Sequence, residues 1–584
     1  MSDSLTPATH RQEPKERTVM DDPEKSLEAR SGSAITGPQD QDQDQVHKAK
    51  EEAETPERSL TPDLDDPEND DEPRHDATLT KTKSLEQQVS LPREILVVGL
   101  IAIAQFTTQV GLGQTLSILH VIGDDFGITN PGILAWLIAG YSLTVGTFIL
   151  FTGRLGDLFG WKKMLVIGYL WFAVWSVIAG LAVYSNHVLF VFARVIQGIG
   201  PAICLPNGLA LLGGLYGPGK RKNMAFAVFG ACAPGGSIVG AVFGGLFVLA
   251  WWPWTFWSFG IALLGIAGVA AWAIPDPQGH KPGLNGHQLF SWAAVWELDL
   301  LGAVTGILGL LLINFAWNNA PIVGWSNAQC IVTLIVGVLL MPVFSWIETR
   351  VARNPLLPIE VFTASNAFVL GCIALGWANF GIWIFYLWQI LEELRGASPL
   401  LASAYLSPVT VAGAVAAVVT GALLHRTRPA VVMMIAMSAF LIGSVLIATL
   451  PVRQIYWAQI FVTTLITPFG MDMSFPAATL VVSDSVQKSK QGVAASLVNT
   501  IVNYSISLGL GFAGTVEVHV NNGGKTEADV LHGYRSGLYM GIGLAGLGIA
   551  LAILFLVKTL YDERKSARRD PGHQRKSTST TSIE

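Results

Sequence analysis

Apolar runs of membrane-spanning length recur along most of this chain. After the first 90 residues, apolar stretches of about 20 residues alternate with short polar segments, and a helix needs about that length to cross a bilayer. Because backbone exposed to lipid must satisfy its hydrogen bonds internally, these stretches are predicted to be helices. The fourteen predicted spans are 95–122, 132–152, 163–183, 188–215, 223–249, 255–274, 299–317, 328–347, 367–391, 400–423, 430–450, 455–482, 491–515 and 536–558.

Residues 1–90 form a separate compositional zone. They contain no Phe, Trp or Tyr and carry a net charge of −12, whereas the remainder carries +6 and the whole chain −6. Such a segment cannot bury enough apolar surface to offset the entropy of ordering it. It is therefore predicted to be a disordered acidic tail.

Basic residues are distributed unequally between the two sets of connecting loops. The loops on the side of the N-terminus contain 13 Lys and Arg, and the loops on the other side contain 4. Basic loops stay in the cytoplasm. Both termini are therefore predicted to be cytoplasmic, including a basic tail at 561–584.

The chain also repeats weakly at an offset of 268–270 residues. Gly153–Leu155 lies between spans two and three, and Gly421–Leu423 lies between spans ten and eleven. The 14-residue spacing from Pro206 to Lys220 recurs from Pro476 to Lys490. We expect an all-α membrane protein with two six-helix bundles and two inserted helices, an architecture typical of alternating-access carriers. The predicted segments are 1–90 (acidic tail), 91–275 (first bundle), 276–365 (linker with the inserted pair), 366–560 (second bundle) and 561–584 (basic tail).

A charged, glycine-rich segment follows span two and is interpreted as a cytoplasmic loop. It reads Gly153-Arg154-Leu-Gly-Asp157-Leu-Phe-Gly160-Trp-Lys162-Lys163. This segment resembles the signature G-x-L-x-D-x-x-G-x-[KR]-[KR] of the major facilitator superfamily. The resemblance, which covers about 95–560, is to the branch of fourteen-helix drug:proton antiporters.

The resemblance implies a charge latch, meaning a polar contact between the bundles that favours one conformation. The alternative is a capped turn whose bases only set topology. The second copy, Gly421–Arg426, lacks the acid, so the partner of Asp157 is expected near Lys490.

Two further motifs resemble the same superfamily. Arg194-Val-Ile-Gln-Gly198 in span four matches R-x-x-x-G, which implies a role for Arg194 in proton coupling or in organising the cavity. A buried structural ion pair is the alternative. Span five resembles the antiporter signature G-P-x-x-G-G, but Ala233 replaces its first glycine. The residues of this antiporter-like motif are Gly230, Pro234, Gly235, Gly236 and Gly240.

Span one departs from the antiporter pattern. The resemblance places an acid where this chain has Gly113, and the neighbouring Gln109 and Gln114 cannot carry a proton. Asp472 in span twelve is the replacement candidate, because prolines and Gly470 suggest a broken, water-accessible helix there. A structural role for Asp472 is the alternative. The predicted cavity residues are Arg194, Gln197, Asn207, Gln109, Gln114, Asn379 and Asp472.

The predicted function is proton-linked export of small toxic compounds or metabolites by alternating access. Trp251–Trp257 and Tyr386–Gln389 resemble fungal members linked to aminotriazole or boron resistance or to low-affinity ammonium movement. A facilitator of ammonium or boric acid is therefore one alternative, and a transporter-like sensor is another. We expect no enzymatic activity, no cofactor, no metal and no nucleic acid. The expected partners are a small-molecule substrate, protons and the bilayer, and the expected form is a monomer in the plasma membrane, with the vacuolar membrane as the alternative.

Overall fold

The computed structural model describes residues 90–128, 130–216, 220–276, 298–357, 359–487 and 491–569. The predicted acidic tail up to residue 89, the basic tail beyond 569, and Lys488 and Lys490 lie outside the described residues. Within that part of the chain, fourteen helices are long and apolar enough to cross a membrane, in agreement with the predicted number. They are α1 (Leu91–Leu116), α2 (Pro131–Phe159), α3 (Trp161–Leu181), α4 (His187–Leu215), α5 (Lys220–Val248), α6 (Pro253–Ala273), α7 (Leu300–Val323), α8 (Ala328–Arg350), α9 (Ala364–Leu394), α10 (Pro399–Leu424), α11 (Pro429–Ala448), α12 (Gln459–Asp484), α13 (Gln491–Val520) and α14 (Glu527–Arg569).

Polar caps start several of these helices. The Asn130 side chain accepts a hydrogen bond from the Gly132 amide at 2.9 Å, and Pro131 occupies the first helical position. The Asn186 side chain accepts from the Leu189 amide at 2.9 Å. These caps satisfy amides that have no partner within the helix.

Several predicted boundaries are wrong. α1 ends at Leu116, and the remainder of the first apolar run forms a separate helix, Leu119–Asp125. The ninth helix continues as a π turn, Ile390–Leu394, and α13 continues to Val520. α12 is one continuous helix despite its two internal prolines, so the predicted break near Gly470 is absent. Packing against neighbours can keep a proline-containing helix continuous.

The helices form two six-helix bundles with the same internal packing. α1 packs on α5 and α3 on α6, and the equivalent pairs in the second bundle are α9 with α13 and α11 with α14. Between the bundles, α2 packs along α13 and α5 packs along α10. The architecture is therefore the one predicted from the repeat, although the residue boundaries of the segments stay predictions.

The inserted pair lies beside the contact between the bundles. α7 packs on both α2 and α13, whereas α8 packs mainly on α7. The side chain of Ser507 donates to Asn314 Oδ1 at 2.8 Å, and Asn318 Nδ2 donates to the Ser507 carbonyl at 3.1 Å. The pair thus joins the bundles through one helix.

One cluster of buried apolar residues runs through the first bundle and continues into the second. Its members include Ile118 and Leu119 of the first bundle and Trp383 and Leu387 of the second. We call the end of the molecule that carries these residues the His120 end, and the opposite end, which carries residues 153–163, the motif end. The bundles are in apolar contact at the His120 end.

Candidate functional site

The segment 153–163 is mostly helical, so its interpretation as a loop is wrong. α2 continues through Phe159, α3 begins at Trp161, and Gly160 alone joins them. Gly160 has a φ of 103°, a value that a residue with a Cβ rarely adopts. Charged residues do not end a helix by themselves, and here the helix ends at the residue with non-helical dihedrals.

The side chain of Asp157 points toward the turn at Gly160 that joins α2 to α3. Its Oδ1 accepts a hydrogen bond from Trp161 Nε1 at 2.8 Å, and the residue is half-buried. Arg154 and Lys162 are half-buried and Lys163 is exposed. The predicted partner region near Lys490 lies outside the described residues, so the charge latch stays a prediction.

Glycines near the end of α2 let it pack closely on α4 of its own bundle and on α13 of the other bundle. A Cβ at Gly153 would stand 3.3 Å from Pro206 Cβ and 3.9 Å from Ser496 Oγ of α13. A Cβ at Gly156 would overlap Asn207 Oδ1 of α4. Gly153 therefore serves close helix packing and not a turn.

Arg194 is fully buried inside the first bundle. Its Nε donates to the Leu137 carbonyl at 3.3 Å and a terminal nitrogen donates to the Gly111 carbonyl at 2.9 Å. A second terminal nitrogen donates to Gln197 Oε1, and the guanidinium lies 4.4 Å from the ring centre of Tyr141. All four partners are neutral, and no acidic partner of Arg194 is found among the described residues, so the ion-pair alternative has no support there. The cation joins α1, α2 and α4.

Three other predicted cavity residues are also buried within single bundles. Gln197 Nε2 donates to Ser176 Oγ of α3 at 2.5 Å. Asn207 donates to carbonyls of α2 and α4, and Asn379 Oδ1 accepts from Ser444 Oγ of α11 at 2.7 Å. None of the three has exposed surface in this conformation.

The contact of α1 with α5 explains the missing acid of span one. A Cβ at Gly113 would overlap the Ser237 carbonyl oxygen and stand 2.8 Å from its carbon. An aspartate cannot occupy this position without separating the helices. Gln114 is 2% exposed, and its Nε2 has no hydrogen-bond partner in the described part of the chain. Gln109 is half-buried beside Gly236.

The glycines of α5 divide between two faces. A Cβ at Gly236 would overlap the Phe106 carbonyl oxygen, and one at Gly240 would stand 2.5 Å from the Val110 carbonyl oxygen, both on α1. Gly235 faces α10, and Gly230 has open space around it. Small residues on both faces allow α5 to pack closely on its own bundle and on the other one.

Asp472 and Pro234 meet at one glycine of α10. A Cβ at Gly413 would stand 2.8 Å from Asp472 Oδ2, 3.0 Å from Pro234 Cγ and 3.1 Å from Pro234 Cβ. The three residues belong to α12, α5 and α10, so the predicted acid and the antiporter-like proline lie together where the bundles touch.

The Asp472 carboxylate is incompletely satisfied in this contact. The residue as a whole is half-buried, but its Oδ2 is buried and has no hydrogen-bond partner among the described residues. A buried carboxylate without a partner is costly in a membrane protein. Protonation, a bound cation or separation of the helices would each remove that cost.

A second cluster of polar side chains lies at the His120 end, and the sequence analysis did not predict it as a site. A cavity of about 350 Å³ there is lined by His120, Asp124, Glu392 and Glu393, among others. Glu517 of α13 is 4% exposed and accepts a hydrogen bond from Tyr386 at 2.8 Å. The predicted span thirteen ended at 515, although the Asn521–Gly524 turn was a signal that the helix could extend to include Glu517.

Comparison with known proteins agrees with this fold. The sequence model described as Major Facilitator Superfamily matches residues 101–510. A low affinity ammonium transporter of Saccharomyces cerevisiae is 53% identical over 82% of this chain and 92% of its own length. Efflux pump terG of Aspergillus terreus is 43% identical over 82% of this chain and 89% of its own length.

The aminotriazole resistance protein of Saccharomyces cerevisiae is 38% identical over 81% of this chain and 86% of its own length. Among solved structures, the peptide transporter POT in complex with sulfate matches 80% of this chain and 94% of its own length. Its TM-score is 0.58 at 13% identity, which is a likeness of fold alone.

Proposed function

Because this chain belongs to the major facilitator superfamily and is a transporter of that type, we propose that it exports small toxic compounds or metabolites in exchange for protons. The contact of Asp472 with Gly413 and Pro234 is the observation that supports the proposal. It puts a titratable group at a surface that must open and close during alternating access.

Protonation of Asp472 would couple to the contact of α5 with α10. A neutral carboxyl is cheap to bury against Gly413, whereas a charged carboxylate favours a wetter, more open arrangement. A proton that binds Asp472 therefore stabilises the close contact, and its release favours separation. The substrate would bind between the bundles and leave as that contact changes.

The two named motifs have complementary roles in this proposal. Asp157 and the bases Arg154, Lys162 and Lys163 weight the conformations at the motif end. Gly235, Gly236 and Gly240 keep α5 close to α1 and α10, so that movement of one bundle acts on Asp472. We place the motif end and both termini in the cytoplasm and the protein in the plasma membrane.

Transport into proteoliposomes tests the proposal. With an acidic lumen and the full chain reconstituted, radiolabelled aminotriazole should accumulate in wild type, since proton efflux would drive its entry. Asp472→Asn should abolish accumulation and retain exchange of labelled for unlabelled aminotriazole. Asp484→Asn, an exposed carboxylate on the same helix, is the matched control. Unchanged accumulation in Asp472→Asn would exclude this carboxyl as the coupling group, and no accumulation in wild type would exclude proton antiport of this probe.

A carrier of ammonium or a similar small polar solute is the second candidate. The 53% identical relative named an ammonium transporter favours it, as does the helix contact that excludes an acid at position 113. Downhill entry of labelled methylammonium, above that of protein-free liposomes and unaffected by Asp472→Asn, would favour this carrier over the antiporter.

A further inference from the structure

Two tyrosine–glutamate pairs lie side by side at the His120 end. In the first pair, Tyr386 of α9 donates its hydroxyl hydrogen to Glu517 Oε2 of α13 at 2.8 Å. In the second pair, Tyr534 of α14 donates to Glu393 Oε2 at the end of α9. The two phenol rings are 5.4 Å apart between centroids, so the pairs form one cluster from three helices of the second bundle.

Glycines of α14 fit this cluster closely. A Cβ at Gly537 would stand 2.6 Å from two ring carbons of Tyr386, and one at Gly533 would stand 3.1 Å from Glu517 Cγ. The two glycines are one helical turn apart and therefore share a face. α14 thus closes over the first pair and excludes water from that side of Glu517.

The second pair faces the other bundle and a cavity. His120 belongs to the short helix after α1, and its Nε2 lies 3.9 Å from Glu393 Oε2. Glu393, Glu392 and Asp124 line the cavity of about 350 Å³. Glu517 is nearly inaccessible, whereas Glu393 is 39% exposed, so the cluster leads from a buried carboxyl to an accessible one.

The neighbours of Glu517 act on its charge in opposite directions, because the Tyr386 hydroxyl favours a negative charge there and Glu393 disfavours it. The titratable groups that face it are Tyr386 and Glu393 from α9 and Tyr534 from α14, and Glu393 repels a negative charge on it. His532 of α14 lies 3.1 Å, by its Nδ1, from the Val520 carbonyl at the end of α13. α7 contains no ionisable residue. In α2, Tyr141 donates to the Thr108 carbonyl inside the first bundle, and Arg154 and Asp157 are at the motif end. No cation among the described residues pairs with Glu517, and two nearby carboxylates cannot both stay ionised cheaply.

We propose that Glu517 and Glu393 are a proton-binding pair, which takes up and releases the transported proton at the His120 end. On uptake, a carboxylate oxygen of the pair forms an O–H bond with a proton from water in the cavity, and on release that bond breaks and the proton returns to water. Tyr386 and Tyr534 position the two carboxyls and hold them in contact with α14. The inference rests on the proposed proton coupling and adds a second titratable site to Asp472.

Infrared difference spectroscopy of the reconstituted full chain tests the pair without a substrate. Spectra recorded between acidic and alkaline buffer should contain the carbonyl-stretch band of a protonated carboxyl. Glu517→Gln should remove one component of that band and leave the contribution of Asp472, and Tyr386→Phe, which removes one hydrogen bond, should shift the same component. Glu527→Gln, an exposed glutamate at the start of α14, is the matched control and should leave the band unchanged.

Transport separates this inference from the proposed function. With an acidic lumen, Glu517→Gln should lose accumulation of labelled aminotriazole and keep exchange. If wild type accumulates no aminotriazole but the band loses a component in Glu517→Gln, proton antiport of this probe is excluded and Glu517 remains a protonated group. Unchanged spectra and accumulation in folded Glu517→Gln and Tyr386→Phe would overturn the pair. If Glu517→Gln does not fold, an unshifted band in Tyr386→Phe overturns it.

Discussion

The carboxylate of Asp472 lies so close to Gly413 that a methyl group on the glycine would stand 2.8 Å from Oδ2. The same methyl group would stand 3.1 Å from Pro234 Cβ across the contact between the bundles. Because the Pro234 ring is stiff, the glycine limits how closely α10 approaches α5. The size of residue 413 should therefore affect the conformational equilibrium directly.

Gly413→Ala should disfavour the closed contact of α5 with α10. Overpacking costs about 1–3 kcal/mol, which corresponds to a shift of roughly 5–150-fold in a two-state equilibrium. The expected result is slower aminotriazole transport at normal membrane abundance, measured in proteoliposomes. Gly421→Ala on the same helix is the control, since a Cβ there meets nothing within 4 Å. Equal rates in the two variants would contradict the importance of this contact.

Gly160→Ala should destabilise the turn between α2 and α3. Forcing a residue with a Cβ into a φ of 103° costs of the order of 1–3 kcal/mol. The midpoint of thermal unfolding in detergent should fall. Gly99→Ala, in α1 with open space around it, should leave the midpoint unchanged or raise it. A midpoint in Gly160→Ala equal to that of wild type would show that the turn relaxes.

Asp157→Ala should slow transport and leave insertion into the membrane unchanged. The variant removes the acceptor of the Trp161 hydrogen bond, worth about 1 kcal/mol for a half-exposed carboxylate. Asp157→Asn keeps an oxygen acceptor but removes the charge, so comparing the two variants separates the hydrogen bond from electrostatic pairing. Transport rates and membrane abundance are the measurements, and normal rates in both variants would argue against a charge latch.

Arg194→Lys should destabilise the first bundle although it keeps the charge. An ammonium cannot reach the Leu137 and Gly111 carbonyls and Gln197 at once from that position, so at least about 2 kcal/mol of stability should be lost. Tyr141→Phe, which removes only the hydrogen bond to the Thr108 carbonyl, should cost about 1 kcal/mol. The midpoint of thermal unfolding should therefore fall further in Arg194→Lys than in Tyr141→Phe. A stable Arg194→Lys protein that has lost proton coupling would indicate a functional role for the guanidinium instead.

Sequence reasoning was most successful where the membrane alone determines the outcome. The number of spans and the two-bundle architecture follow from apolar length and from the repeat, because lipid permits few other solutions. Helix ends were less predictable. The segment at Gly153 looked like a loop because it is charged, yet its helix ends only at Gly160.

The cavity residues depended on information that the sequence lacks. Arg194 and Gln197 point into their own bundle, and Asp472 points toward the other, a difference set by helix rotation. The pattern of apolar residues does not reveal how a helix is rotated about its axis when protein surrounds it on most sides. Glu517 was missed for a simpler reason, since the predicted helix stopped two residues before it.

The two sides of α7 differ in chemistry, and this difference determines which bundle the inserted helices accompany. Hydrogen bonds from Ser507, from Asn318 and from Tyr504 to Leu310 tie α7 to α13. Toward α2, apolar side chains of α7 make the contact, with Phe315 against Trp136 and Ile322 against Gly132. Apolar surfaces slide past one another at lower cost than hydrogen bonds break. We therefore expect the inserted pair to stay with the second bundle during transport, while the first bundle slides along the apolar side of α7.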